Sequence, residues 1–546
     1  MFLGICDGHD SGAALLDTEG RVVFAVSEER LSRRKRQPGF PALSVEACLA
    51  RSPEIHRVAV AERAGRLPFR LLDPLYRRSN PDVGTEGMLP RGLLRYSQAA
   101  ARYLPGPESA LAERILRRRL RGLGVDAPVI LVDHHRCHAR TAAAGRADSL
   151  VLTLDAFGDG LSGTLHRGDA QGGLERVAAL PAPLGPAHLF ARTTRFLGFA
   201  EGDEGKVVAR AAAGNPALLR EHFTRALSWD GRRFRSGLTS AAFLAGLADH
   251  RAHDIAAALQ ARTEELVAAI LDKAIEHHGG SRLCLAGGLF ANVAVNRVAL
   301  EIAEARGLEE VFVFPAMGDA GLCVGAAMEA LVLHGGSPAP LRDPRVGPRP
   351  APLSESGSTT LPILHSLQGQ DGEMDSASRS AVVGALTTGR PVATCRGPLE
   401  FGPRALGGRS LLLSPDNEEH ARQLNLSLGR DQAMPFGPVM TEEAAPDLLT
   451  GWSSCSRDLT ALMTVALPAT ERLRRLAPAA VHKDGTARAQ VLGRSFDPDL
   501  HAVLQQLPGQ VCINTSLNLH GEPIVAGADQ AARSARRAGA ALLWLD

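Results

Sequence analysis

Short apolar runs separated by turns rich in Asp and Gly make up the first thirty residues of the chain, and the same layout returns near residue 150. Each copy has three runs of strand length: residues 2–6, 13–16 and 21–26 in the first copy, and residues 150–154, 162–166 and 175–180 in the second. Turns such as DGHDSG, which begins at Asp7, separate these runs. Two copies of strand, turn, strand, turn and strand predict a duplicated α/β architecture.

Two further strands after the second copy are each followed by a glycine turn and a helix-like run. The strand 282–286 meets Gly287 and Gly288, and the strand 310–314 leads into the turn PAMGDAG. A strand, a glycine turn and a helix in this order point main-chain N–H groups at a phosphate. The run GGLFANVAVN, which contains both glycines and Asn292, is therefore a candidate nucleotide-binding turn.

The chain of 546 residues is too long for one ordinary domain. From residue 335 to about residue 380 the composition shifts to Pro, Ser, Gly and Arg without apolar periodicity, and domain boundaries fall in such stretches. We therefore predict a first domain over residues 1–345, a linker over residues 346–380 and a second α/β domain over residues 381–546. The second domain is predicted to close with the strand 510–514.

Charge and cysteine usage exclude several classes of protein. The 61 Lys and Arg residues balance 59 Asp and Glu residues, so the net charge of +2 lacks the basic excess of a nucleic-acid or membrane-surface binder. No segment is apolar enough to span a bilayer, and the N-terminus does not resemble a signal peptide. The eight cysteines are dispersed without a CxxC pair, which disfavours metal knuckles and disulfides and indicates a cytoplasmic protein.

The most specific local motif is VDHHRCHAR, which follows a strand and opens an Ala-rich helix. His134 and His138 lie four residues apart and share one helix face, as the two histidines of an HExxH metal site do. Asp155 ends the first strand of the second copy, and Asp319 stands in the GDAG turn, so both meet the histidines if the two halves face each other. Two imidazoles and two carboxylates without a thiolate suit Fe²⁺, Mn²⁺ or Zn²⁺.

Each of these features also has an ordinary interpretation. The chain has 18 histidines, so a histidine pair on a helix also arises without a metal. Asp7 and His9 stand in a turn that is typical of phosphate-facing loops, and an Asx turn is the alternative there. The loop EGDEGK brings Asp203 and Lys206 together with glycines, where the ammonium group of Lys206 is able to approach an anion. A solvated charged loop is the alternative.

Cations also cluster in the second domain, within turns that are rich in Gly, Pro and hydroxyl residues. The candidate residues are Arg404, Arg409, Arg430, Arg488 and Ser516. Rigid turns that carry bidentate guanidinium groups and hydroxyls are typical of a pocket for a small polyanion. Ordinary surface arginines are the alternative in this Arg-rich chain, although such arginines do not need glycine and proline at this density.

Ten motifs together resemble the O-carbamoyltransferase family, which acts on nodulation factors, cephamycins and aminoglycosides. They are HDSGAAL, EERLSRRK, DHHRCHA, LDAFGDG, DEGK, GGLFANVAVN, GDAG, EFGPRALGGRS, DGTAR and NTSLN, in family order and over almost the whole chain. The resemblance implies a duplicated actin-like (ASKHA) domain with a metal, followed by a YrdC-like α/β domain.

The resemblance further implies a reaction in two stages. The YrdC-like domain is expected to use carbamoyl phosphate and ATP with Mg²⁺ to form a carbamoyl-adenylate. This intermediate passes to an iron site in the first domain, where an acceptor hydroxyl attacks its carbonyl carbon. The acceptor is expected to be a secondary metabolite, as in antibiotic biosynthesis, or a glycan.

Residue roles follow from the same resemblance. The implied metal ligands are His134, His138, Asp155 and Asp319. Residues matching positions near the acceptor are Asp7, His9 and Asp203, with His9 or an Asp as general base. Lys35 matches a lysine suited to neutralising developing negative charge. Residues expected to hold carbamoyl phosphate and ATP are Arg404, Arg409, Arg430, Arg488 and Ser516.

The chain departs from the family pattern at Met434, where family members typically have an arginine. Loss of that cation is predicted to weaken carbamoyl phosphate binding by ~1.5–3 kcal/mol. A metal-dependent hydrolase and an actin-like nucleotide-binding regulatory protein are the alternative functions; the first lacks a Glu between the two histidines, and the second leaves the Arg-rich domain unused. The acceptor, the metal and the oligomeric state, with a homodimer among the options, are not determined by the sequence.

Overall fold

The computed structural model describes residues 1–64, 66–76, 105–354, 361–365, 374–430 and 436–545. These residues form two compact units, Met1–Arg342 and Asp343–Asp546. Met434, at which the chain departs from the family pattern, lies outside the described residues.

Two five-stranded sheets with the same topology form the framework of the first unit. The first sheet contains β1 (Phe2–Cys6), β2 (Gly12–Leu16), β3 (Val22–Ser27), β4 (Arg57–Ala61) and β5 (Val129–Val132), in the order β3-β2-β1-β4-β5. The second contains β6 (Ser149–Gly158), β7 (Leu161–Gly168), β8 (Leu174–Pro181), β11 (Arg282–Ala286) and β12 (Glu310–Val313), in the order β8-β7-β6-β11-β12. In each sheet three antiparallel strands precede two strands that join in parallel. The predicted duplicated α/β architecture is confirmed.

Helices pack around these sheets. A short hairpin of β9 (Ser228–Trp229) and β10 (Phe234–Arg235) lies between β8 and β11 in the chain. The helices of the first unit are α1 (Glu28–Ser32), α2 (Ala42–Arg51), α3 (Leu67–Leu71), α4 (Asp73–Tyr76), α5 (Pro105–Gly122), α6 (His134–Ala143), α7 (Pro186–Phe196), α8 (Glu204–Ala211), α9 (Arg220–Ala226), α10 (Ser240–Ala245), α11 (Ala252–His278), α12 (Val293–Ala305) and α13 (Leu322–Val332). Helix α6 begins where the Asp133 side chain accepts the main-chain N–H of Arg136, which is a typical N-cap.

Helix α13 is almost entirely buried and positions the candidate site. A Cβ atom on Gly4 of β1 would lie 1.8 Å from the carbonyl oxygen of Cys323, and one on Gly325 would lie 2.1 Å from that of Cys137 in α6. Both glycines are therefore required for the main chains to approach closely. This packing holds the start of α13 beside the start of α6, so that the turn before α13 faces the two histidines.

The second unit is built on a mixed seven-stranded sheet in the order β13-β21-β14-β15-β20-β16-β19. The strands of this sheet are β13 (Ile363–His365), β14 (Val392–Cys395), β15 (Ser410–Leu413), β16 (Gly437–Thr441), β19 (Gln490–Leu492), β20 (Val511–Ser516) and β21 (Leu542–Leu545). Two further strands, β17 (Leu467–Pro468) and β18 (Thr486–Ala487), pair with each other. The helices of the second unit are α14 (Ser376–Thr387), α15 (Glu418–Leu428), α16 (Ala445–Leu448), α17 (Arg457–Ala461), α18 (Glu471–Leu476), α19 (Pro498–Leu504) and α20 (Ala528–Arg537). This unit has the predicted α/β class.

Two details of the second unit differ from the sequence-based expectation. The stretch 346–380, expected as a linker, contributes β13 and the start of α14, because β13 pairs in parallel with β21. The strand predicted at 510–514 does not close the domain, because α20 and β21 follow it and β21 also pairs with β14.

Two composition-based expectations concern the whole chain. All eight cysteines fall within the described residues, where they are buried and free of disulfide bonds. In the part of the chain that the structure describes, no helix combines the length and apolar character needed to cross a membrane.

Candidate functional site

Four side chains from separate parts of the first unit converge at one point. His134 and His138 project from the first turns of α6, Asp155 lies near the end of β6, and Asp319 precedes α13. One ligand atom of each residue lies within 4.8 Å of the ligand atoms of the others. These are the four residues that the sequence predicts as the ligands of one metal site, and the structure brings them together.

The polar atoms of this cluster are too far apart for good hydrogen bonds with each other, but they are placed as the ligands of a cation would be. The Nε2 atom of His138 lies 3.5 Å from Asp155 Oδ2 and 3.7 Å from Asp319 Oδ1, which is too long for a good hydrogen bond. Both ring nitrogens of His134 and Nε2 of His138 are buried without a hydrogen-bond partner among the described residues. Buried polar atoms are normally satisfied, so a divalent ion of the Fe²⁺, Mn²⁺ or Zn²⁺ type suits this donor set.

The electrostatics of the cluster favour ionised carboxylates. Burial lowers the pKa of His134 to about 3, so this imidazole is neutral. Burial also acts to lower the pKa of His138, but the carboxylates of Asp155 and Asp319 outweigh it and raise that pKa to about 9. For Asp319, burial acts to raise the pKa, but the nearby histidines hold it well below its usual value. The cluster therefore concentrates negative charge where a cation would bind.

The motif LDAFGDG contributes to this cluster in three ways, and supplying Asp155 is only one of them. A Cβ atom on Gly158 would lie 2.2 Å from Cδ2 of His134, so glycine is required to leave room for that ring. The carboxylate of Asp159 accepts the main-chain N–H groups of His134 at 2.8 Å and Ala64 at 2.8 Å. Asp159 therefore holds the first turn of α6 against the segment after β4.

His9 is the predicted acceptor-side residue that lies next to the metal cluster. Its Nδ1 atom is 3.4 Å from Asp319 Oδ2, and its Nε2 atom is 3.3 Å from Asp10 Oδ2. Burial acts to lower the pKa of His9, but Asp319 and Asp10 raise it above the usual value. The side chain is 34% exposed, so it reaches both the cluster and the solvent.

Asp7, which was predicted near the acceptor, is paired with an arginine and is not available as a general base. Its two oxygens accept hydrogen bonds from Nε and Nη2 of Arg70, at 2.8 and 3.1 Å, and both side chains are buried. Although burial acts to raise the pKa of Asp7, Arg70 outweighs it and lowers that pKa. Asp7 is therefore a weak base whose geometry is that of a structural ion pair.

The predicted residues Lys35, Asp203 and Lys206 are not among the four cluster residues. Lys35 is exposed, whereas its neighbour Arg36 lies 3.4 Å from Asp10 Oδ1 and donates a hydrogen bond to the carbonyl of Glu201. Asp203 and Lys206, expected to have separate roles, form an ion pair with each other at 2.8 Å. Arg36 thus ties the loop before α8 to the turn that carries His9.

In the candidate nucleotide-binding turn, Gly288 contacts the cluster, whereas the side chain of Asn292 does not. The main-chain N–H of Gly288 donates to Asp155 Oδ2 at 2.8 Å, and Gly287 has a left-handed φ of 105° that favours glycine. Asn292 caps α12 and exchanges a hydrogen bond with Gln260, so its side chain is occupied within the fold rather than directed at a nucleotide.

Three charged residues near the cluster were missed by the sequence analysis. Glu62 Oε2 lies 4.0 Å from Nδ1 of His134, Arg66 Nη2 lies 4.0 Å from Asp319 Oδ2, and Arg66 also pairs with Glu62. The third residue is Arg70. The only sequence signal is their spacing of four residues, which is that of one helix face, although the helix itself begins only at Leu67.

In the second unit, three of the predicted cations, Arg404, Arg430 and Arg488, are half-buried. Arg430 donates to the Thr515 hydroxyl and to the carbonyl of Ser516, at 2.5 Å each. Burial, with no opposing carboxylate among the described residues, lowers the pKa of Arg430 and of Arg488 to about 10. Burial and then Arg488 lower the pKa of Arg404 well below its usual value, so these two guanidinium groups are neighbours. Half-buried like charges of this kind suit an anionic ligand.

Arg409 is in a different setting, although it lies in the same motif as Arg404. Its side chain is fully buried and donates to the carbonyls of Arg396 at 2.6 Å and Gly397 at 3.1 Å. These contacts shape the turn and leave Arg409 inside the fold instead of facing a ligand. Ser516, by contrast, lies beside Arg430, with 3.2 Å between its hydroxyl and the guanidinium group.

Comparisons with known proteins bear on the reaction. Residues 1–328 match the family described as carbamoyltransferase N-terminus, and residues 383–546 match carbamoyltransferase C-terminus. Nodulation protein NolNO of Sinorhizobium fredii is 30% identical over 95% of this chain and 75% of its own length, and nodulation protein NolO of Bradyrhizobium diazoefficiens is 31% identical over 72% of this chain and 74% of its own. A solved structure, the activator of the 2-hydroxyisocaproyl-CoA dehydratase from Clostridium difficile with bound ADPNP, is similar over 61% of this chain and 96% of that chain, at 13% identity and a TM-score of 0.31. Because the N-terminal match alone covers more than half of the chain, the protein belongs to the carbamoyltransferase family and is a carbamoyl-transferring enzyme.

Proposed function

We propose that this carbamoyltransferase is ATP-dependent and transfers a carbamoyl group from carbamoyl phosphate, through a carbamoyl-adenylate, to a hydroxyl of a secondary metabolite or glycan. The observation that carries the proposal is the convergence of His134, His138, Asp155 and Asp319 within 4.8 Å. A site of two imidazoles and two carboxylates in an actin-like unit suits the activation of a small acyl group beside a nucleotide.

The donor stage belongs to the second unit in this proposal. Carbamoyl phosphate and ATP are polyanions, and the half-buried guanidinium groups of Arg404, Arg430 and Arg488 match their charge. For the atoms to balance, water cleaves carbamoyl phosphate to carbamate and phosphate, and a carbamate oxygen then displaces pyrophosphate from the α-phosphorus of ATP bound with Mg²⁺. The products are carbamoyl-adenylate, phosphate and pyrophosphate.

The transfer stage belongs to the first unit. His134, His138, Asp155 and Asp319 would hold the divalent cation, for which Fe²⁺ is our first choice. When bound, such an ion supplies a Lewis acid that polarises carbonyl or phosphoryl oxygens. The acceptor hydroxyl attacks the carbamoyl carbon and AMP leaves with the bonding electrons. His9, which reaches both the cluster and the solvent, takes the hydroxyl proton.

The two alternative functions have no observation in their favour. A hydrolase would direct water at the carbamoyl group, and a regulatory protein would not need the half-buried arginines of the second unit. Residues 1–328 and 383–546 both match the carbamoyltransferase family, which favours carbamoyl transfer over either alternative.

The first experiment measures pyrophosphate release from ATP and Mg²⁺ with carbamoyl phosphate, using the full chain after metal loading. We expect release that requires carbamoyl phosphate and is lost in Arg488→Met. Arg475→Met, which removes an exposed arginine from α18 of the same unit, is the matched control and should release pyrophosphate as the wild type does. Metal-loaded protein that releases no pyrophosphate would contradict the donor stage.

The second experiment separates the stages with His138→Ala and, as its control, His250→Ala at an exposed position. We expect His138→Ala to lose bound metal and carbamoyl transfer while pyrophosphate release continues. The control should keep all three properties. Loss of pyrophosphate release together with transfer in His138→Ala would contradict two separable stages.

A further inference from the structure

A cavity of about 210 Å³ lies in the first unit between the second sheet, helix α11 and the short β9–β10 hairpin. Its floor is apolar and includes Leu152 of β6, Leu165 of β7, Leu180 of β8 and Ile270 of α11, all of them buried. An apolar cavity of ~150 Å³ is already large enough to bind benzene, so this one accepts a small organic molecule.

This cavity is separate from the metal cluster. Successive side chains of a strand point to opposite faces of its sheet. Thr153 of β6 faces α6, because its hydroxyl contacts Nδ1 of His135 at 2.9 Å, and Asp155 shares that face. Leu152 points to the other face and lines the cavity. A molecule in the cavity would therefore have the whole sheet between itself and the cluster, so the carbamoyl transfer reaction does not account for this space.

The mouth of the cavity offers hydrogen-bond donors. The indole Nε1 atom of Trp229 is buried and has no hydrogen-bond partner among the described residues. The Lys273 ammonium group lies at the same wall, because a Cβ atom on Gly231 would be 2.7 Å from Nζ. Arg232 and His277 complete a basic rim. An unsatisfied donor beside cations, above an apolar floor, is the complement of an amphipathic anion.

The wall that carries Trp229 is an ordered part of the fold. Asp230 accepts the main-chain N–H groups of Arg232 and Arg233, at 3.0 and 2.9 Å, and pairs with Arg235 at 2.6 Å. The ring of Trp229 also packs against that of Phe234, with 5.1 Å between the centroids. The hairpin therefore holds the indole N–H in place before any ligand arrives, which lowers the entropy cost of binding.

We propose that this cavity binds a small carboxylate with an apolar body, such as a medium-chain fatty acid. The apolar part lies on the leucines of the sheet and on Ile270, and the carboxylate accepts hydrogen bonds from the Trp229 indole and the Lys273 ammonium group. The site lies on the opposite face of the second sheet from the cluster of His134, His138, Asp155 and Asp319.

The test measures binding of sodium octanoate to the metal-loaded full chain by isothermal titration calorimetry, with octan-1-ol as the neutral probe. Lys273→Met removes the charge and keeps the aliphatic stem, whereas Ala274→Phe fills the cavity. Arg220→Met, on α9 of the same unit, removes a charge away from the cavity and serves as the matched control. Carbamoyl transfer without octanoate should be unchanged in all three variants and reports correct folding.

We expect saturable 1:1 binding of octanoate that weakens by about tenfold in Lys273→Met. Octan-1-ol should bind the wild type and Lys273→Met alike, and Ala274→Phe should reduce binding of both probes by at least about tenfold. The Arg220→Met control should bind as the wild type does. No saturable binding of octanoate to the wild type, or wild-type binding by either Lys273→Met or folded Ala274→Phe, would overturn the proposal.

Discussion

Asp7 and Asp155 occupy the same position in the two halves of the first unit but have opposite surroundings. Cys6 of β1 pairs with Gly12 and Leu154 of β6 pairs with Gly163, so each aspartate directly follows an equivalent strand residue. Asp7 is neutralised by two hydrogen bonds from buried Arg70. Asp155 faces His138 across 3.5 Å instead.

The difference shows how one duplicated framework yields two kinds of site. The fold places a carboxylate at the end of each central strand, and the neighbouring side chain decides what that carboxylate does. An arginine satisfies both oxygens and makes a structural ion pair, whereas the His138 ring, at 3.5 Å from Asp155, is too far away for a good hydrogen bond and leaves room for a cation. Substitutions at the two aspartates should therefore have different consequences.

The largest effect is expected for Asp155→Asn. This change keeps the shape of the side chain but removes one negative charge from the proposed metal site, so carbamoyl transfer should fall by more than about a hundredfold, a loss of several kcal/mol of stabilisation. Metal content per chain, measured by plasma emission spectroscopy, should fall in parallel. Full metal content in Asp155→Asn would remove this residue from the ligand set.

Asp7→Asn should instead act on stability. The change leaves buried Arg70 without its partner charge, so the free energy of unfolding should fall by about 3–5 kcal/mol, measured by urea denaturation. Metal content should stay at the wild-type value. Adding Arg70→Met to Asp7→Asn removes the unpaired charge and should restore most of the stability. If Asp7→Asn lost metal while its free energy of unfolding stayed unchanged, Asp7 would belong to the metal site as Asp155 is proposed to do.

Gly158→Ala should lower metal affinity by roughly 10–100-fold, because the new methyl group displaces the His134 ring without altering any ligand. Gly384→Ala, on α14, is the control, since a Cβ atom there meets nothing within 4 Å. Competition with a chromophoric chelator measures the affinity. Equal affinities in the two variants would mean that His134 does not hold the ion.

The smallest effect is expected for Asp159→Asn, which weakens the hydrogen bonds that position the start of α6. We expect metal affinity to fall by about tenfold, since residues that orient ligands have effects of this size. Asp169→Asn, in the turn between β7 and β8, is the matched control. A reduced thermal stability with unchanged metal affinity would limit Asp159 to a structural role.

Much of the first unit was predictable because its signals are local. Alternating apolar runs and Asp/Gly turns determined both hairpin copies, and the strand at residues 282–286 matches β11 at both ends. In the second unit, β13 and β21 were missed because each is short and gains its place only by parallel pairing with residues far away in the chain. Sequence patterns do not record such distant partners.

The candidate site shows the same division. Spacing placed His134 and His138 on one helix face, and the repeat placed Asp155 and Asp319 opposite them. The sequence did not predict which candidate side chains are buried inside the fold. Arg404 and Arg409 share one motif, yet the guanidinium group of Arg409 donates its N–H groups to the carbonyls of Arg396 and Gly397. The sequence also did not indicate the charged neighbours of Asp7 and His134, because Arg70 and Glu62 lie in a segment without a recognisable motif.

The packing of α13 limits which parts of this enzyme are able to change. Its main chain lies against β1 at Gly4 and against α6 at Gly325 without room for a methyl group. Any repacking of this helix would separate Asp319 from the histidines, so evolutionary change in the choice of acceptor is expected to enter through surface loops. The loops around His9 and Glu201 are the natural places to exchange when new acceptors are sought by design.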